Sequence, residues 1–164
     1  MGGRRLMEVS NRKISVLSYL ASENPKDELV KVRRHSSSFV QSFDAAALPD
    51  GNTLKILLYQ TEEASIRGQL LARSKEVDFL LRLAGSDQIR KAMELVGAKP
   101  GKPSMMVFYG GSREVSVDTR KALSVLRNAK IFNMSQITDS GQGASKVEVS
   151  ALLGLRKLRR RAPG

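Results

Sequence analysis

Between residues 74 and 109 the apolar positions change period twice. Val77, Leu80, Leu81 and Ala84 recur at i, i+3, i+4 and i+7, which sets them on one face of a helix. Ser74 stands where a helix N-cap belongs, and Gly85 stands where a left-handed residue closes one. The device repeats at once. Ser86 is the expected cap, Ile89, Ala92, Met93 and Val96 form the stripe, and Gly97 is the stop. Asp87, Arg90, Lys91 and Glu94 occupy the other faces. Residues 98–103, AKPGKP, form a loop, because Pro100 and Pro103 cannot continue a helix and Gly101 suits a turn. The apolar run over 105–109 then has the unbroken character of a strand buried on both faces.

Upstream, residues 13–21 alternate in part. Ile14, Val16 and Leu20 oppose Leu17 and Tyr19, which predicts a strand with both faces covered. Turn chemistry follows over 22–27, then residues 29–33 read as a second strand in a hairpin with the first, and 39–43 as a third. A helix from Asn52 or Thr53 to Gly68 carries Leu54, Leu57 and Leu58, with a strand over 54–59 as the rival reading. Downstream, the spacing predicts a Gly110-Gly111 turn, then a helix capped by Asp118 with Ala122, Val125, Leu126 and Ala129 inward. Residues 131–137 fit helix or strand. Residues 138–143 are a polar, glycine-rich loop, and Val147, Ala151, Leu152, Leu155 and Leu158 predict a last helix from about Ala144. The sequence thus divides into a flexible segment over 1–12, a single domain over 13–158 and a basic tail over 159–164.

Composition narrows the function classes. The chain has 164 residues, enough for one domain with a real core. With no Cys and one His, His35, it has no disulfide frame, thiolate nucleophile or histidine-rich metal site. No apolar run is long enough to span a bilayer, and no apolar stretch follows Arg4 and Arg5 as in a signal peptide, so a cytoplasmic protein without membrane contact is expected. No phosphate-binding Gly loop, dinucleotide fingerprint or nucleophile elbow is present. The expectation is therefore a binding module with no catalytic residues, cofactor or metal. The net charge of +12 favours a polyanionic partner, of which nucleic acid is the commonest, although a basic proteome would also produce it. Five cations crowd residues 156–161; the helix dipole accounts for some of them, and a polyanion contact or a solvated tail for the rest.

The run Leu80-Leu81-Arg82-Leu83-Ala84-Gly85-Ser86-Asp87-Gln88-Ile89, followed by Ala92 and by Val96-Gly97-Ala98-Lys99, resembles the signature of one small family. That family is the PRPK-binding proteins, the kinase-binding subunits of the KEOPS (EKC) complex. Its pattern is an acidic residue, an apolar helix, Gly, a small polar residue, Gln-Ile, a small residue and an apolar-Gly-x-Lys turn. Val40-Gln41-Ser42-Phe43-Asp44-Ala45 is similar to the family's apolar-Gln-x-apolar-Asp-Ala strand end. Asp78 stands where the family usually has Glu.

The resemblance implies an α+β (mixed α/β) fold, a largely antiparallel sheet with helices packed around it. It implies a subunit that is not an enzyme by itself. Its partners would be the complex's small atypical kinase/ATPase and tRNA, held by the single-stranded 3′ CCA end, in support of threonylcarbamoyladenosine formation. On that basis the kinase-binding candidates are Ser86, Gln88, Ile89, Met93, Leu152 and Leu155. The tRNA-binding candidates are Arg67, Arg73 and Lys75 at the connection between two helices, with Lys99 and Lys102 in the proline-containing loop. Two other classes stay open: an unrelated basic RNA- or ribosome-binding protein, and a small enzyme without a recognisable motif.

Overall fold

The computed structural model describes residues 12–126 and 131–138. Its elements, in chain order, are β1 (Arg12–Leu20), α1 (Pro25–Arg34), β2 (Phe39–Asp44), a 3-10 turn (Ala45–Ala47), α2 (Gly51–Ile66), α3 (Lys75–Ala84), α4 (Ile89–Val96), β3 (Pro103–Gly111), α5 (Ser112–Val125) and β4 (Ile131–Thr138). The four strands form one antiparallel sheet in the order β2-β3-β1-β4. The fold is α+β, as expected.

The strand order corrects the expected hairpin. β3 lies between β1 and β2, antiparallel to each, so β1 and β2 run parallel and cannot be joined by a tight turn. The intervening residues 25–34 form a helix instead of a second strand. Leu29 and Val32, at i and i+3, are its buried residues; Pro25 sits in the first turn with Asp27 and Glu28, and Lys31, Arg33 and Arg34 fill the last turn. That charge order complements the helix dipole. β3 and β4 are likewise separated by β1 and joined through α5. The arrangement is a β-α-β-β-α-β, ferredoxin-like topology with α2, α3 and α4 inserted between β2 and β3.

Two cores result. Ile14, Val16, Phe39, Phe43, Met105, Val107 and Tyr109 face the inserted helices and meet Leu54, Leu58, Phe79, Leu80 and Val96. Leu17, Tyr19, Val40, Met106 and Phe108 face α1 and α5 and meet Leu29, Val32, Val115, Ala122 and Leu126. The sequence alternation in β1 and the apolar run in β3 have this cause: both faces of the sheet are covered.

Other local expectations divide. Ser74 caps α3 through Val77 N at 3.3 Å, and Gly85 takes φ 65°. Residues 54–59 are helical, not extended. Gln88, not Ser86, occupies the N-cap position of α4, with no side-chain cap; the Ser86 hydroxyl accepts from Gln88 N one step earlier. Gly97 ends α4 with extended backbone rather than in the left-handed region. Its need for glycine is steric, since a Cβ would sit 2.4 Å from the Met93 carbonyl oxygen. Gly110 and Gly111 continue β3 instead of turning, and α5 begins at Ser112. Asp118 is therefore mid-helix and buried, accepting from Ser37 N at 3.0 Å and Ser38 N at 2.7 Å, which docks the α1–β2 turn on α5. Residues 131–138 are strand. Ala129 and the expected helix from Ala144 lie outside the described residues.

β2 is an edge strand, and side chains occupy its outward groups. Arg33 Nε donates to the Val40 carbonyl at 3.1 Å, and Ser42 N donates to Gln41 Oε1 at 2.9 Å. Such blocking prevents a foreign strand from pairing there. Burial pushes the Arg33 guanidinium below its usual range, with Glu76 acting in the opposite sense. The other amide end of Gln41 donates to the Glu76 carbonyl at 2.8 Å and so fixes α3 against β2.

Burial, then hydrogen bonding to Glu62, holds the Tyr109 phenol far above its ordinary value of 10.0; burial, then Glu28, raises Tyr19 likewise. Below pH about 10 both folded and unfolded chains keep these protons, so neither phenol makes stability depend on pH there. Above it the unfolded chain releases protons that the fold retains, and stability must fall as pH rises. Urea melts from pH 9 to 11 are expected to show that decline, with a shallower slope for Tyr109→Phe; an identical slope in the variant would contradict the assignment.

Candidate partner and nucleic-acid interfaces

The corner between α3 and α4 is built by local backbone chemistry. Gly85 N donates to Arg82 O and Ser86 N to Leu81 O, at 3.3 and 3.1 Å, a left-handed glycine stop that turns the chain sharply. α4 then packs through Ala92 and Val96 alone. Its apolar arc is wider than that buried stripe. Ile89 is 53% exposed and Met93 38% exposed on one flank, and Leu95 is 53% exposed on the other. Arg90, Lys91 and Gln88 are exposed around them, and Ser86 is half-buried. Ser86, Gln88, Ile89 and Met93 are therefore brought together at one surface corner. Leu152 and Leu155 lie outside the described residues. Leu95 was missed because it falls off the i, i+3, i+4 stripe.

The second candidate surface is the connection between α2 and α3. α2 stops at Gly68, φ 67°, with Gln69 N donating to Ala64 O at 2.8 Å. Ser74 then starts α3. Arg67, Arg73 and Lys75 are all exposed. Arg67 Nε lies 2.8 Å from Glu63 Oε1, an exposed pair of a kind that contributes about 0.5 kcal/mol or less and leaves the arginine available. Arg67 also lines a cleft of about 570 Å³ with Tyr59, Ile66 and Arg82, and the carboxylates of Glu62 and Glu63 share its wall. The connection and the α3–α4 corner stand at opposite ends of the ten-residue α3, roughly 15 Å apart by helical rise.

Beneath the connection sits Asp78, which is fully buried. Its carboxylate accepts from Leu71 N at 2.7 Å, Thr61 Oγ1 at 3.2 Å and Arg82 Nε at 2.6 Å. The sequence marks this residue as an acid within the buried run Asp78-Phe79-Leu80-Leu81, with Arg82 four positions on.

Lys99 has a different setting. Its ammonium lies 3.0 Å from Asp44 Oδ2, while Asp44 Oδ1 accepts from Ala46 N. Two segments of the quoted motif thus meet as an ion pair that closes β2 against the loop before β3. Lys102 is exposed at the far end of the same turn, its amide donating to the Lys99 carbonyl at 3.2 Å, and the turn's backbone is tied to residues 21 and 22. Neither lysine belongs to the α2–α3 connection.

Compared with known proteins, the chain matches no family model and no curated protein. Among the described residues no helix is long and apolar enough to cross a membrane, and no three His, Asp or Glu side chains gather as a metal site.

The exposure pattern of α4 makes a direct prediction. Ile89→Glu should change unfolding free energy by no more than about 0.5 kcal/mol, as at an ordinary surface position. Ala92→Glu, placing a charge under the same helix, should cost several kcal/mol. Chemical denaturation checks both, and comparable losses would mean that Ile89 is a core residue.

Proposed function

We propose that this chain is a non-catalytic subunit of the KEOPS complex that binds the complex's small atypical kinase/ATPase and recruits tRNA through its unpaired 3′ CCA end. The observation that carries the reading is the exposure of Ile89 and Met93. Both belong to the signature-bearing segment, and with Leu95 they form exposed apolar flanks on one short helix. An apolar helix flank left open to water beside Arg90 and Lys91 suits a protein interface with an apolar centre and a charged rim.

The α2–α3 connection supports the RNA half. Arg67, Arg73 and Lys75 supply the exposed cations that a phosphate backbone needs. The two surfaces stand at opposite ends of α3, so this reading gives the kinase and the RNA different contact residues. The role is delivery. The protein supplies affinity and orientation, and the rest of the complex supplies the chemistry. Lys99 and Lys102 belong to this reading only as secondary contacts, since Lys99 already answers Asp44.

Two measurements test it. The purified chain should retain the kinase in a pull-down, and Ile89→Glu or Met93→Glu should abolish retention while the circular dichroism spectrum stays unchanged. Filter binding should show intact tRNA bound at least about tenfold more tightly than tRNA trimmed of its CCA end. Equal affinity for both RNAs, with no kinase retained, would favour a general basic RNA-binding protein instead, a reading for which the net charge of +12 suffices.

A further inference from the structure

The connection carries Arg73 and runs from Arg67 at the end of α2 to Lys75 at the start of α3, and none of its residues between them is fully buried. Leu71 is 56% exposed, so its side chain does not anchor the segment. What anchors it is its amide, bound by Asp78 at 2.7 Å. The same carboxylate takes one donor from α2, through Thr61, and one from α3 itself, through Arg82. A carboxylate withdrawn fully from water is costly unless its partners satisfy it, and a well-packed apolar residue would serve bare stability as well or better. Here the charge does something an apolar residue cannot. It ties three chain segments to one point directly below the exposed cations.

We propose that Asp78 is the positioning residue of the RNA surface: it fixes the path of the α2–α3 connection, so that Arg67, Arg73 and Lys75 present a preformed set of phosphate contacts, without touching RNA itself. This inference rests on the tRNA-recruiting reading above. Preformation matters because an unlatched loop must be ordered again on binding, at a cost to affinity.

Generic electrostatics and the latch give opposite signs for one substitution. Asp78→Asn makes the protein one unit more positive, and bulk charge alone then demands equal or tighter tRNA binding. The latch demands weaker binding, by about tenfold, with the slope of log affinity against log salt reduced by about one as a phosphate contact is lost. Trypsin reads the latch without RNA, by cleavage after Arg73 and Lys75. Relative to Val32→Ala, a destabilising change under the opposite face of the sheet, Asp78→Asn should be cut there about tenfold faster. Should Asp78→Asn fail to fold, Thr61→Val removes one donor, leaves the charge intact, and is expected to speed cleavage by about threefold. Unchanged or tighter tRNA binding by a folded Asp78→Asn overturns the proposal, as does cleavage no faster than in Val32→Ala. A wild-type chain that binds no tRNA overturns the reading beneath it, while the cleavage comparison still decides whether Asp78 latches the connection.

Discussion

The structure depends on β3 being apolar on both faces and paired on both edges. Met105, Val107 and Tyr109 point into one core, Met106 and Phe108 into the other, and all five are buried. Such a strand is stable only when both faces are covered and both neighbours are present. Because it fills the slot between β1 and β2, those two strands run parallel and need a helix between them. Because β1 lies between β3 and β4, the second connection must also cross over. α1 and α5 therefore cover one face, which leaves the other for the inserted helices α2, α3 and α4. Both candidate surfaces are on that insertion.

Polar groups fix how the insertion sits. Gln41 ties β2 to the start of α3, Asp44 and Lys99 close the loop before β3, and Asp78 gathers α2, the connection and α3. Asp118 does the corresponding work on the opposite face, where it docks the α1–β2 turn. Each is a buried or half-buried acceptor or donor; Gln41, Asp44 with Lys99, and Asp118 join segments far apart in sequence, and Asp78 joins neighbouring ones. Gln41, Asp44 and Lys99 are also residues of the motif quoted from the sequence, and in the fold they serve positioning first. The surface consequence is indirect. With the start of α3 fixed by Gln41 and Asp78, the cations there and the apolar flank beyond the other end of the helix are separated by its length.

What could be read from the sequence was local. The Ser74 cap, the Gly85 stop, the stripe of α3 and the alternation of β1 each depend on residues within a few positions of one another. What could not be read was set at a distance. Residues 29–33 are short and apolar enough for a strand; Pro25 and the acid-to-base charge order are local helix signals, and the insertion of β3 between β1 and β2 makes the helix necessary. Asp118 resembles a cap in sequence, and only contact with Ser37 and Ser38 explains it as a buried acceptor. The site followed the same division. Ile89 and Met93 were nameable, yet period alone could not distinguish them from Ala92 and Val96, because one amphipathic arc contains all four and burial is decided by the width of the neighbouring layer. Lys99 had the residue type of an RNA contact, and its partner Asp44 lies too far back in the chain for spacing to reveal.

On the proposed function, one chain meets a kinase at the α3–α4 corner and RNA at the α2–α3 connection. Amide hydrogen exchange, measured on the free chain, with the kinase and with tRNA, tests this most directly. The kinase is expected to slow exchange in α4 and the turn before it, and tRNA to slow exchange over residues 67–75, with α1 and α5 unaffected by either. Protection confined to α1 and α5, or one footprint shared by both partners, would contradict the account.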